Sequence, residues 1–359
     1  MRDPRIDFFR GLAIYMIFVD HVSGDPLAKL TFHMLGFSDA AELFVFISGL
    51  ACGIAYSRVF ARHGFSVLTL SIIKRAGRIY LYYVLSSVAM ILLVITAMTY
   101  MELPNTFGVT SDQPLPAISS AVFLLSPPHL SGILVLYIIL TLIIVPALLV
   151  SRGQTRNLTL AVSGMAWLAC QFFSDYTAPL THHLFLNPVA WQFLFAIGVT
   201  LGIERESKQP LWPNLLRLRW AVRLAWAVVL GAFFYRIIVA NSGFNVASWK
   251  MDHAIANTMK ENLSPLRLVH FLGVALLVAV YFRQDSPFLN WTIAKSLITT
   301  GMHSLEVFSL CVVLTVMVNI VVLASGPSLG DRLIIDSIVF VLFAITAAAL
   351  EHRRAVALR

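Results

Sequence analysis

Charge is scarce in this chain. Asp, Glu, Lys and Arg together make up 12% of its 359 residues, about half of what an ordinary soluble domain carries. There are three cysteines, Cys52, Cys170 and Cys311, each inside an apolar run and none in a CxxC or Cys/His cluster. That excludes a disulfide framework and a cysteine-ligated metal, and leaves the thiols as small buried hydrophobes. No stretch is polar and long enough for a separate soluble domain, and no internal repeat is visible.

Apolar residues fill the space that charge leaves. They are 58% of the chain, with a mean hydropathy of +0.82, and they come in runs long enough to face lipid. The reading is an all-α, polytopic integral membrane protein, with residues 1–359 as a single transmembrane domain. Ten spans are expected near 8–23, 40–58, 79–100, 131–150, 157–174, 188–203, 222–240, 266–282, 303–324 and 333–350. The first has the outline of a signal peptide. Asp3, Asp7, Asp20 and His21 spoil that pattern, so it is expected to be a retained span.

The net charge of +8 would suit nucleic acid if the basic residues were clustered on a soluble face. They are not. With the N-terminus placed in the cytoplasm, 20 of the 26 Lys and Arg fall on the cytoplasmic side; only Lys29, Arg236, Lys250, Lys260, Arg267 and Arg332 fall on the other. That is the positive-inside bias, and it supports both termini inside. The longest outer connectors, 101–130 and 241–265, mix polar and aromatic residues. They suit a glycan-binding surface or plain solvated loops.

Ionisable residues inside apolar spans cost about 2.5 kcal/mol or more at the bilayer centre, so they are functional candidates. The first span, "DFFRGLAIYMIFVDHVSG", holds Arg10, Asp20 and His21. Eleven residues of helix put Arg10 and His21 about 16 Å apart along the axis but only about 20° apart around it. They share one face, although Arg10 could also be an interfacial anchor and His21 a loop residue. The next cluster, "GFSDAAELFVFISG", places Asp39 and Glu42 at the head of span two. They could cap that helix, or one of them, or Asp20, could orient His21 and stabilise its charged form. In "IIKRAGRIYLYY", Lys74, Arg75 and Arg78 stand at the cytoplasmic start of span three. They are anchors, or, with Arg75 and Arg78 on one face, a site for a phosphate-bearing ligand.

These segments resemble a known family. The Arg-x10-His of the first span and the RxxR of "RAGR" are similar to the acyltransferase-3 type of membrane acyltransferase. "RIDFFRGLAIYMIFVDH", "GFSDAAELFVFISG", "NPVAWQFLFAIG", "ENLSPLRLVHFLG" and "GMHSLEVFSL", in that order, resemble the OpgC family, the membrane succinyltransferases of osmoregulated periplasmic glucans. The resemblance implies a multi-pass protein of the bacterial inner membrane. It implies an acyl-CoA donor reached from the cytoplasm, in particular succinyl-CoA, and a hydroxyl of a periplasmic glucan or other glycan as acceptor. His21 becomes the general base, supported by Asp20, Glu42 or Asp39. Arg10, Lys74, Arg75 and Arg78 become the donor site, and Asn187, Trp191, Gln192 and Glu306 the acceptor side. Glu306, in an apolar run, needs a polar partner. No permanently bound cofactor or metal is expected, no nucleic acid, and membrane lipid as the surroundings. The alternatives are an acetyl or other acyltransferase acting on another polysaccharide or lipid-linked sugar, and a membrane transporter.

The charge bias gives a direct test. A periplasm-dependent phosphatase fused within 101–130 or 241–265 should be active, and one fused near 205–219 inactive; the reverse pattern would overturn the orientation.

Overall fold

The computed structural model describes residues 3–103, 109, 113–151, 153–173, 184–207, 218–241 and 260–357. Every regular element among them is helical. Among the described residues, five helices are long and apolar enough to cross a membrane: α3 (Ala40–Met101), α5 (Gly132–Val150), α8 (Arg219–Asn241, by its first nineteen residues), α11 (Ser304–Ser325) and α12 (Leu329–Ala357). α9 (Pro265–Tyr281) is apolar but shorter. α1 (Pro4–His21) is not among the five: it carries Arg5, Asp7, Arg10 and Asp20 within one span's length. Much of the connector 241–265, and part of 101–130, lies outside the described residues.

The expected spans two and three form one run, α3, broken at a single residue. Gly64 has φ 76° and ψ −171°, a left-handed backbone that only glycine enters without strain. Tyr56 and Arg75 would stand roughly 28 Å apart on a straight helix, yet they interact electrostatically. The chain therefore doubles back at Gly64.

The chain forms two compact units. The first comprises 1–29, 77–138 and 284–359. In it α1 starts at an Asp3 cap, whose carboxylate accepts from Arg5 N at 3.0 Å, with Pro4 in the first turn. α1 crosses α10 (Thr292–Met302) at backbone contact. A Cβ on Gly11 would stand 2.0 Å from Leu297 O, and one on Gly301 1.8 Å from Asp7 O. α11 runs parallel to α1, since Cys311 Sγ faces Ile14 O and Asn319 meets His21. α12 runs antiparallel, with Phe340 and Phe343 packed edge-on against Tyr15 and Phe18. A short helix, α4 (Pro114–Val122), takes hydrogen bonds from Tyr80 and Tyr83 on its last carbonyls.

The second unit comprises 30–76 and 139–283. It holds α2 (Phe32–Leu35), α6 (Gln154–Phe172) and α7 (Pro188–Arg205). α7 docks on the first half of α3 through two G-x-x-x-G pairs, "GLACG" at 49–53 and "GVTLG" at 198–202. A Cβ would stand 2.4 Å from Phe195 O at Gly49, 2.2 Å from Val199 O at Gly53, 2.4 Å from Phe46 O at Gly198 and 2.3 Å from Leu50 O at Gly202. Small residues at this spacing let two apolar helices meet backbone to backbone, the main source of packing energy where lipid is as apolar as the side chains. Trp191, Leu194 and Phe195 fill the core beside this contact. Cys170 and Cys311 are buried and Cys52 is half-buried.

These close approaches set a strict size limit. Gly53→Leu or Gly198→Leu should abolish accumulation of folded protein in the membrane, whereas the same change at Gly231, where nothing lies within 4 Å, should leave it intact. Size-exclusion profiles in detergent would show the difference.

Candidate functional site

His21 is the last residue of α1, so it and Arg10 do ride one continuous helix. The ring is half-buried. Its Nδ1 lies 2.7 Å from the carbonyl of Ile17. A carbonyl can only accept, so Nδ1 carries the proton and the neutral ring keeps its lone pair on Nε2. That is the tautomer of a general base acting through Nε2. At Nδ1 the orientation expected from a carboxylate comes from a backbone carbonyl instead. Asp20, the adjacent residue, is also half-buried.

Beyond His21 the chain leaves the helix at Val22, with extended φ and ψ, and turns at Gly24, φ 68°. Residues that the sequence did not single out hold this turn. Asn319 Nδ2 donates to His21 O, and Asn319 Oδ1 accepts from Ser23 N, both at 2.9 Å. Arg332 Nη1 donates to Ser23 O at 2.8 Å and to Gly24 O. Asp25 and Asp336 are buried beside it. Burial pushes the Asp25 carboxyl above the ordinary carboxylate value; the Leu27 N–H, Asp336 and Arg332 offset part of the rise, and the charge of Asp20 adds to it.

At the opposite end of the first unit, Arg78 forms an ion pair with Glu306. The polar partner that Glu306 needed is thus a residue expected at the donor site, although Glu306 itself was expected on the acceptor side. His303 Nε2 and Glu351 Oε2 are 2.8 Å apart, with Arg354 at 3.8 Å from the same oxygen. Arg10 pairs loosely with Asp7 at 3.9 Å. Since Ile14 faces Cys311 on a parallel helix, Arg10 stands level with the first turn and a half of α11, where Glu306 lies. Lys74, Arg75 and Arg78 are exposed on α3.

Asp39 and Glu42 lie in the second unit, and there they form a capping box. Asp39 Oδ1 accepts from Ala41 N, and Glu42 Oε2 accepts from Asp39 N, each at 2.8 Å. Their remaining oxygens hold cations: Glu42 Oε1 takes Arg267 Nε at 2.6 Å, while Asp39 Oδ2 takes Arg267 Nη2 at 2.9 Å and Lys260 Nζ at 2.7 Å. Glu42 is 0% and Arg267 4% exposed. Of the two roles open to these carboxylates, the cap is realised, and it is built into an ion-pair network.

One turn along α9 from Arg267, the buried His270 accepts on Nδ1 from Ser38 N at 3.3 Å, with Ser38 Oγ at 2.8 Å. Gly36 lies against the other side of the ring: a Cβ there would stand 2.1 Å from His270 Nε2. The signal for His270 was available in "LRLVHFLG", an imidazole inside an apolar run.

Asn187, Trp191 and Gln192 open α7 and are all buried. Trp191 Nε1 donates to the carbonyls of Lys260 and Glu261, and Asn187 Nδ2 to Asn262 Oδ1 at 2.8 Å. Gln192 is paired with Ser163. From α6, Trp167 Nε1 and Gln171 Nε2 donate to Leu263 O and Asn262 O, both at 2.8 Å. The polar head of α7 thus clasps residues 260–263, the segment that delivers Lys260 to Asp39.

Comparison with known proteins bears on both sites. The family model described as OpgC protein matches residues 2–355, nearly the whole chain. The chain belongs to the OpgC family. At family level this makes it a membrane glucan-modifying acyl transferase. No curated protein and no solved structure gives a match. The match takes in His21 and its turn in this OpgC-family chain, the Arg78–Glu306 pair, and the Asp39–Glu42–Arg267–Lys260 network.

Removing one member of a buried ion pair leaves the other charged in an apolar setting, a loss of about 3–5 kcal/mol. Glu42→Ala should therefore lower the melting temperature in detergent far more than Lys260→Met, since Lys260 is only half-buried. Equal losses would show that Arg267 does not depend on Glu42.

Proposed function

We propose that the protein moves a succinyl group from succinyl-CoA, bound from the cytoplasm, to a hydroxyl of a periplasmic glucan, with His21 as general base. The observation that carries this reading is the Nδ1–Ile17 hydrogen bond, which leaves Nε2 of an imidazole in an apolar helix as the proton acceptor. Family membership supplies the reaction class.

In this mechanism His21 Nε2 takes the proton of the sugar hydroxyl as the oxygen attacks the thioester carbonyl. The tetrahedral intermediate collapses with loss of the coenzyme A thiolate, and the imidazolium proton restores the thiol. Neutral imidazole is the form that accepts a proton, and histidine is the side chain that supplies it near physiological pH. Arg10, Lys74, Arg75 and Arg78 form the donor site, where guanidinium groups suit phosphate and carboxylate alike. Arg10 and His21 lie about 16 Å apart along α1, a distance that the long pantetheine arm of coenzyme A must cover. Asn187 and Trp191 serve the acceptor side by fixing residues 260–263, with Gln192 beside them paired to Ser163; Glu306 braces Arg78. Asp39 and Glu42 hold the head of α3, and Asp20 stands beside the base in the chain. The chain crosses the bacterial inner membrane ten times as one transmembrane domain, with both termini inside.

Two measurements test the reading. The purified protein should bind succinyl-CoA, and Arg75→Ala with Arg78→Ala should weaken binding at least tenfold. His21→Ala should bind the donor normally and transfer nothing. Absence of donor binding by the unaltered protein would move a transporter to the front; acetyl-CoA used in preference to succinyl-CoA would change the acyl group and leave the mechanism standing.

A further inference from the structure

We infer that Asn319 is a positioning residue for the catalytic histidine. This rests on the reading of His21 as general base. Asn319 sits within α11, the apolar helix parallel to α1, and is 2% exposed. A buried amide in such a helix is costly unless its hydrogen bonds are made. Here three are made. Nδ2 donates to Thr315 O at 2.8 Å within its own helix, and to His21 O at 2.9 Å; Oδ1 accepts from Ser23 N at 2.9 Å.

The two bonds to the neighbouring segment fall at one place, the end of α1. The last carbonyls of a helix lack partners within it. α1 closes with one long bond, Val22 N to Val19 O at 3.4 Å, and its next residue is extended. Asn319 takes the carbonyl of the final helical residue and the N–H two residues on, so one amide fixes the chain on both sides of Val22. The residue it grips is His21 itself, whose ring is held independently by Ile17 O at 2.7 Å. Backbone and ring are thereby fixed together, and with them the direction of the Nε2 lone pair. A base displaced by about 1 Å from its proton can lose on the order of a hundredfold in rate.

The anchor point is itself firm. Thr315 Oγ1 donates to Cys311 O at 2.8 Å, and Cys311 Sγ lies 3.8 Å from Ile14 O, so α11 is registered on α1 a full two turns before Asn319. Arg332 from α12 holds the carbonyls of Ser23 and Gly24, further from the ring. Among the described residues, ionisable groups near this end of α1 include Asp20 on α1, Asp25 in the turn, and Arg332 and Asp336 on α12; α11 brings the neutral amide of Asn319.

The test is steady-state transfer from succinyl-CoA by full-length Asn319→Leu and Asn319→Asp in detergent, with succinyl-CoA binding measured on the same samples as the check of folding. Asn319→Leu should bind the donor with unchanged affinity and show unchanged KM for it, while kcat falls 10- to 100-fold. Asn319→Asp keeps the acceptor for Ser23 N but replaces the donor to His21 O by a carboxylate. It should lower kcat similarly and move the acidic limb of the pH–kcat profile upward, because a new negative charge beside the histidine favours its protonated form. A folded Asn319→Leu with wild-type kcat overturns the inference, and so does an Asn319→Asp whose acidic limb does not move. Should Asn319→Leu fail to bind donor, Asn319→Asp decides by the same readouts. His21→Ala separates the two claims: if it still transfers, the general-base reading falls and this inference with it; if it is inactive while Asn319→Leu is not, only the inference falls.

Discussion

A guanidinium and two carboxylates buried at the head of α3 set the terms for the second unit. Arg267 cannot stay charged in an apolar environment without Glu42 and Asp39; Glu42 depends on it in turn, while Asp39 is also held by Lys260. The capping box places the carboxylates, α9 delivers the arginine, and the 260–263 segment delivers Lys260. Tryptophan and amide side chains from α6 and α7 then hold that segment in place. Polar residues that read individually as binding groups act together as a frame.

The first unit obeys the same constraint with fewer charges. Its apolar helices carry isolated polar residues, and several of them answer a particular backbone or side-chain need. Asn319 closes the end of α1, Tyr80 and Tyr83 cap α4, and Glu306 meets Arg78. Where lipid surrounds a helix there is no water to satisfy a stray donor, so such residues mark places where geometry has to be fixed. The end of α1 concentrates several of them around one imidazole, whereas the opposite end gathers ion pairs near the expected donor site.

Much of this was legible from residue order. The spacing of Arg10 and His21 put them on one helix, and α1 is that helix. Asp39 and Glu42 at i and i+3 allowed a cap, and the cap formed because the chain enters α3 there with two unpaired N–H groups. Glu306 in an apolar run demanded a partner and has one. Asn319 and Arg267 were not singled out, because neither belongs to a local pattern. Asn319 matters through His21, roughly three hundred residues away in the chain, and Arg267 through Glu42, more than two hundred away. The paired G-x-x-x-G segments were present in the sequence, but only packing shows which helices they join.

The sequence by itself determined the class: a lipid-facing helical chain, its helical stretches and the family to which it belongs. These follow from hydropathy, helical periodicity and local order, which depend on neighbours along the chain. The tertiary structure alone decided which polar groups meet: that a carbonyl rather than a carboxylate orients His21 at Nδ1, that Asp39 and Glu42 hold Arg267, and that the head of α7 grips residues 260–263. The physical reason is that a buried hydrogen bond or ion pair is defined by two partners and a distance, and here the partners lie on different helices.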